Sequence, residues 1–379
     1  MSKVLFTSHT GNFVKFNAPF IKWFSEQGWE VHYASAEEEP FPEGLCDQHF
    51  MVPFQRTPFH PDNFKAYRFL RDIICREQYD LIHCQTNVGG AITRMEARKC
   101  RQRQGTKVIY TAHGFHFYKG APFLNWILYY PIEKWLASLT DCIVTINYED
   151  YELARMKFHC KKVAHIDGVG VDLDAFHPID HNSKQELREE YGFPENALIL
   201  IYAAELNANK NQGILIRAVH SLMDSFPDIY LLLLGDGQAP IEERYRKLIH
   251  EEELEGRVLL MGYRKDVIKL FQLSDICVAS SIREGLGLNV IEAMACGLPV
   301  VASSNRGHRE LIVPEKNGFL FSLNNIEELC NGISRLASDS IMYEKISRHN
   351  ASYVEKYSLR NSIQNMGDIY HSICTEVGR

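Results

Sequence analysis

Two glutamates, Glu284 and Glu292, stand on either side of a glycine turn in the segment REGLGLNVIEAMACGLPVV, residues 283–301. A carboxylate pair invites an acid/base reading, but the residues between them point elsewhere. Gly285 and Gly287 let the backbone approach a ligand closely. Leu288 to Ala295 reads as a helix that opens directly after the strand-like run Ile276–Ser280. The unpaired N–H groups and positive dipole of such a helix start suit a phosphate. A carboxylate cannot bind a phosphate, so the glutamates are expected to accept hydrogen bonds from hydroxyls, Glu284 from a sugar and Glu292 from a ribose. The backbone of Gly285, Leu286, Gly287 and Leu288 faces the same ligand.

These residues need strands to position them. Short β-branched or aromatic runs alternate with segments of helical period throughout the chain, which reads as repeated βα units and parallel sheets. Strands are expected at Val4–Ser8, Val31–Ser35, Leu81–Gln85, Val108–Ala112, Cys142–Asn147 and Val163–Ile166, and again at Leu198–Ala203, Ile229–Leu234, Val258–Gly262, Ile276–Ser280, Pro299–Ser303 and Phe319–Phe321. The polar, turn-rich FHPIDHNSKQELREEYGFPEN between the two series reads as a linker. The fold class is therefore α/β, with two doubly wound, Rossmann-like domains facing across a cleft and ligands at the carboxyl ends of the strands. The expected division is residues 1–178, residues 179–355 and a final helical segment, 356–379, packing back on the first domain.

Composition excludes several classes. A formal charge of -7 over 379 residues argues against a broad nucleic-acid surface. The ten cysteines are scattered singly, as in a reduced cytoplasmic protein. No stretch reads as a secretory leader or a spanning helix. His113 and His116 lack a third metal ligand at sensible spacing, and Asp172 and Asp174 read as a turn. The absence of GxGxxG after the first strand makes a nicotinamide dehydrogenase a poor fit. Two stretches stay open between alternatives. The basic run Arg94–Lys107 is a solvated helix face or a contact for anionic lipid. The aromatic segment Lys119–Leu139 is a buried helix or a membrane-interface element.

The segment 283–301 resembles the retaining glycosyltransferases of the GT-B fold, family 4, whose hallmark is two glutamates with seven residues between them. AAELNANKNQG (203–213), LLLGDGQ, MGYRKDV, SNRGHRELI, NGFLF, TSHTGNF, LIHCQTNVGG and YTAHGFHF extend the resemblance over nearly the whole chain. HGFHFYKG and YYPIEKWLA are most similar to bacterial capsule and exopolysaccharide enzymes. The resemblance implies a catalytic set of Glu284, His113 and Lys210, with Lys210 holding the leaving diphosphate. Glu205 stands where the family has an arginine. Gly235, Tyr263, Arg264 and Gly11 join Glu292 and residues 285–288 at the donor, while Asn12, Gln85, Asn87 and His113 face the acceptor. It implies a UDP-sugar donor, a glycan or lipid-diphosphate-linked acceptor, no cofactor, no divalent metal, and work at the inner face of the plasma membrane. Rival readings are a UDP-sugar 2-epimerase of the same fold and a non-catalytic sugar-nucleotide-binding protein.

Overall fold

The structure is a computed structural model that describes residues 1–36, 41–57 and 60–375; the side chain of Asn12 lies outside the described residues. The chain forms two compact units. One comprises Met1–Gly170 with Leu359–Arg379, and the other Val171–Ser358. The divisions fall at 170/171 and 358/359 rather than at 178/179 and 355/356.

The first unit holds a parallel sheet of β1 (Lys3–Thr7), β2 (Glu30–Ser35), β3 (Gln48–Met51), β4 (Leu81–Gln85), β5 (Lys107–Ala112), β6 (Cys142–Thr145) and β7 (Lys162–His165). Their order is β3-β2-β1-β4-β5-β6-β7. Sequence period reveals every strand except β3. That edge strand buries only Phe50 and so carries almost no apolar pattern. Central strands such as β4, buried along their whole length, read instead as continuous runs because helices cover both faces.

Two buried polar contacts lock helices onto this sheet. Arg94, on the helix Asn87–Gln104, is fully buried, stacks 3.8 Å from the centroid of Tyr110 and forks onto Glu133 of the helix Phe123–Ala137. The basic run is thus not one solvated face: Arg94 is interior and Arg101 pairs with Asp141, leaving Arg98, Lys99 and Arg103 exposed. Tyr370, on the final helix Leu359–Thr375, places its hydroxyl 2.8 Å from Nδ1 of the buried His83, whose Nε2 is bonded to Thr111. Gly367 lets the same helix lie against Trp23.

The second unit holds β8 (Leu198–Ala203), β9 (Ile229–Leu234), β10 (Val258–Gly262), β11 (Ile276–Ala279), β12 (Val300–Ser303) and β13 (Gly318–Phe321), in the order β10-β9-β8-β11-β12-β13. The segment read as a linker is part of this unit. Its helix His181–Glu190 delivers buried Arg188 to both carboxylate oxygens of Asp275 at 2.7 Å and to three backbone carbonyls. Lys184 adds a second cation to Asp275. A polar sequence can therefore be structural when its charges satisfy a half-buried carboxylate.

Candidate active site

In each sheet the strand order reverses direction once, between β1 and β4 and between β8 and β11. Loops at the carboxyl ends of such strands are where doubly wound sheets bind ligands. Lys210 follows β8 and Glu284 follows β11, so the second unit brings these two candidates to one switch point.

The two loops are stitched together. Ile282 N–H donates to the Asn209 carbonyl at 2.7 Å, the Asn209 amide to the Arg283 carbonyl at 3.0 Å, and Ser280 Oγ to the Lys210 carbonyl at 2.7 Å. Across this seam Lys210 Nζ meets Glu284 Oε1 at 2.5 Å. Ser281 Oγ donates to the same oxygen at 2.5 Å, and Tyr202 donates to Ser281 at 2.6 Å. Burial pushes the Glu284 carboxyl up, but the Lys210 charge, helped by His308 and Ser281, outweighs it and holds the carboxyl below its ordinary range. Glu284 is therefore an anion at neutral pH, suited to accept hydrogen bonds from hydroxyls.

Gly287 adopts φ +102° as the N-cap of the helix Leu288–Ala295, with no side chain capping that end. The region favours glycine, and a Cβ here would stand 3.3 Å from the His308 ring. Glu292 lies further along this helix, half-buried; burial, helped by its charge, raises the Cys296 thiol to about 12. Gly285, Leu286 and Leu288 flank the turn, with Leu286 buried. A Cβ at Gly307 would meet the Leu286 carbonyl at 2.8 Å, so Gly307 serves contact between two protein backbones.

Other expected donor residues have structural tasks. Gly235, at φ +128°, lies so close to Ala204 that a Cβ would stand 2.4 Å from its carbonyl oxygen. It binds the loops after β8 and β9 together. Tyr263 exposes its ring, and its N–H donates to Asp236 Oδ1 at 2.8 Å. Arg264 pairs with Asp266, which also accepts from Tyr191. Glu205 is exposed and its carbonyl accepts from Gln212.

In the first unit Gly11 opens a short turn after β1, Gln85 ends β4, Asn87 begins the next helix and His113 follows β5. His113 Nε2 is 2.7 Å from Gln85 Oε1, and burial lowers the imidazole to about 4. Gln85 is buried and bonded at both ends of its amide, so it positions its neighbours instead of presenting itself to an acceptor. Asn87 is exposed and bonded to His116. Asp172 forms the expected turn by accepting from the N–H groups of Asp174 and Ala175.

Sequence reasoning missed the residues behind these groups. Ser303, Asn305 and His308 hold the Ser281 carbonyl and the glycine turn, with Nδ1 of His308 2.8 Å from the Ser303 carbonyl. Asn17 and Tyr33 stand behind Gln85. Asn305 and His308 lie within SNRGHRELI, where Asn305 caps the helix that carries His308. No spacing signal marks Asn17 and Tyr33, which reach Gln85 from the helix Val14–Glu26 and from β2. Among the described residues, one His/acid cluster could hold an ion by proximity: Glu30, His32 and Glu77. Lys3 is ion-paired with both of those glutamates.

Two family descriptions match the chain: Glycosyltransferase Family 4 over residues 19–175 and Glycosyl transferases group 1 over residues 183–352. EpsD of Bacillus subtilis (strain 168), a provisionally assigned glycosyltransferase, is 42% identical over 370 residues, covering 97% of this chain and 96% of EpsD. The chain belongs to this glycosyltransferase family. A further relative, the UDP-Gal:alpha-D-GlcNAc-diphosphoundecaprenol alpha-1,3-galactosyltransferase of Escherichia coli, is 26% identical and covers 90% of this chain and 89% of that protein. Among solved structures, HepE of Anabaena in complex with UDP superposes with a TM-score of 0.79 at 19% identity, covering 98% of this chain and 100% of HepE. Sucrose-phosphate synthase from Thermosynechococcus elongatus gives 0.81 at 19% identity, covering 99% and 100%. Both likenesses concern the fold, and the glycosyltransferase has the GT-B fold of two Rossmann-like units.

Proposed function

We propose that this glycosyltransferase moves a hexose or N-acetylhexosamine from a UDP-sugar to a hydroxyl of a lipid-diphosphate-linked glycan, with retention and without a divalent metal, in surface-polysaccharide synthesis. The observation that carries the reading is the Lys210–Glu284 pair beside the uncapped helix start at Gly287. It sets a cation, an anion and open N–H groups at one switch point, matching a diphosphate joined to a polyhydroxyl ring. The E. coli relative uses, by its name, UDP-Gal and a diphosphoundecaprenol-linked sugar.

In this reading the bond from the sugar's C1 to the diphosphate oxygen breaks with its electron pair leaving on UDP. Lys210 and the helix-end amides stabilise that charge. The acceptor hydroxyl forms the new bond on the same face, and its proton passes to the departing phosphate oxygen. Glu284, already ionised, orients sugar hydroxyls. His113, neutral at pH 7, serves as a hydrogen-bonding group.

The helix Phe123–Ala137 supports a membrane-linked acceptor. Trp126 and Tyr130 pack against the core, while Phe123, Leu124, Ile127, Leu128, Ile132 and Trp135 are exposed on successive turns. Lys119 and Lys134 flank the stripe, and Arg98, Lys99 and Arg103 are exposed on the neighbouring helix. An apolar stripe rimmed by cations suits an anionic bilayer. Among the described residues, no helix is long and apolar enough to cross a membrane.

The test is turnover of a UDP-sugar panel with a synthetic lipid-diphosphate sugar, in EDTA, followed by the anomeric configuration of the product. Retained configuration in EDTA is expected; inversion, or activity that returns only with Mn²⁺, overturns the mechanism. Glu205 favours a second reading, a sugar-nucleotide-binding protein without turnover. Nucleotide binding with no transfer to any acceptor would select it.

A further inference from the structure

A chain of buried hydrogen bonds runs from His113 to the loop after β1. His113 Nε2 is bonded to Gln85 Oε1 at 2.7 Å, and the other end of the Gln85 amide is bonded to Asn17 Oδ1. Asn17 Nδ2 reaches the Tyr33 hydroxyl at 3.1 Å, which meets Ser8 Oγ at 2.8 Å. Ser8 Oγ ends the chain on the Thr10 carbonyl at 2.8 Å, next to the turn Gly11–Phe13. Ser8, Asn17, Tyr33 and Gln85 are each no more than 1% exposed, so water cannot substitute for a missing partner.

The terminal carbonyl sets the direction of every bond. A carbonyl only accepts, so the single Ser8 proton is spent on Thr10 and Ser8 must accept from Tyr33. Burial pushes the Tyr33 phenol to about 12, so it keeps the proton it donates. With its proton spent, the Tyr33 oxygen accepts from the Asn17 amide nitrogen. The Phe13 carbonyl, 3.4 Å from the same nitrogen, favours that orientation independently. Asn17 then turns its oxygen to Gln85, which must donate its NH2 and turn its own oxygen to His113. The proton of neutral His113 is thereby forced onto Nε2. The Phe13 ring, edge-on at 4.7 Å, packs against the imidazole in that orientation. Among the described residues no hydrogen bond reaches Nδ1 of His113.

We propose that Asn17, Tyr33 and Ser8 are positioning residues of a one-way relay that fixes His113 as the Nε2–H tautomer and leaves Nδ1 as a lone-pair acceptor for a substrate hydroxyl. The hydroxyl assignment rests on the glycosyl-transfer reading; the tautomer does not. An ether or carbonyl has no proton to donate, so this atom favours a substrate group that carries a donor hydrogen, such as a sugar hydroxyl. The relay also couples His113 to the Gly11 turn, so the two loops hold a common geometry.

The test is long-range 1H–15N NMR of the full chain labelled at histidine, with the His113 signals assigned through His113→Gln. At neutral pH and without substrate, His113 should show a protonated Nε2 and an unprotonated Nδ1. A protonated Nδ1, or an even mixture of tautomers, overturns the relay. Tyr33→Phe removes the one oxygen joining Asn17 to Ser8 and leaves the Asn17 nitrogen only the long 3.4 Å contact to the Phe13 carbonyl. The amides can then turn, so His113 should become a tautomer mixture and kcat/KM for the acceptor should fall about tenfold. If Tyr33→Phe does not fold, Ser8→Ala interrupts the same chain near its end. A tautomer unchanged in whichever variant folds overturns the positioning role. An Nε2–H tautomer in a chain that turns over no sugar upholds the relay and removes the glycosyl-transfer reading alone.

Discussion

Lys210 and Glu284 lie 74 residues apart in the chain, yet Nζ and Oε1 meet at 2.5 Å because β8 and β11 are neighbours where the sheet reverses direction. Each neutralises the other, and Ser281 Oγ donates to the same Glu284 oxygen, so neither acts alone. Lys210→Met and Glu284→Gln should each lower kcat/KM by about 10²–10³-fold, the range seen when one preorganised electrostatic contact is removed. The double variant should be little worse than the poorer single one. Strictly additive losses would show that the two residues serve separate steps.

The Arg94–Glu133 pair predicts a stability effect. Glu133→Gln strands a buried guanidinium and should destabilise the first unit by about 3–5 kcal/mol. Arg94→Met with Glu133→Met should recover most of that loss, since no charge remains buried. All four tryptophans lie in the first unit, so intrinsic fluorescence during urea unfolding reads this unit directly. Equal loss in the single and double variants would mean that packing over Tyr110, and not the charge, carries the effect.

Two histidines predict the acid limit of the first unit. Burial lowers His83 to about 3 and His113 to about 4, from an ordinary value of 6.5. Both folded values lie below the unfolded one, so the unfolded chain binds more protons and stability rises with pH across that window. It is fully present above about 6.5 and is lost on acidification toward 4 and then 3. The Tm should therefore fall steadily below pH 6.5, and His83→Gln should shallow the slope while lowering the starting value. An unchanged slope in that variant would assign the acid loss to other groups.

The exposed stripe on the helix Phe123–Ala137 predicts membrane behaviour. The chain should float with vesicles containing anionic lipid and remain behind with neutral ones. Ile127→Glu with Ile132→Glu should abolish flotation without weakening UDP binding. Flotation unaffected by this change would move the membrane contact to another surface.

The glutamates, the glycine turn and the alternation of strands and helices were all legible because each is a local pattern. Period 2 and period 3.6 survive in the sequence, and a helix start announces itself through neighbouring residues. The edge strand β3 has one buried apolar residue and so leaves no period to read. The segment around the short helix at 181–190 reads as a linker because the residues that fix it to the second unit are charged. Arg94 was submerged in a basic run for the same reason: a charge does not declare whether it will be paired.

Sequence by itself therefore determined the family, the two βα series and the residue types around the glycine turn at 284–292. Tertiary structure alone decided which polar groups touch. Only the folded sheet sets Lys210 against Glu284, turns Gln85 inward, and lines up His113, Asn17, Tyr33 and Ser8. Hydrogen-bond direction depends on where each chain of donors ends, here the Thr10 carbonyl. That end point exists only when strands remote in sequence are packed side by side.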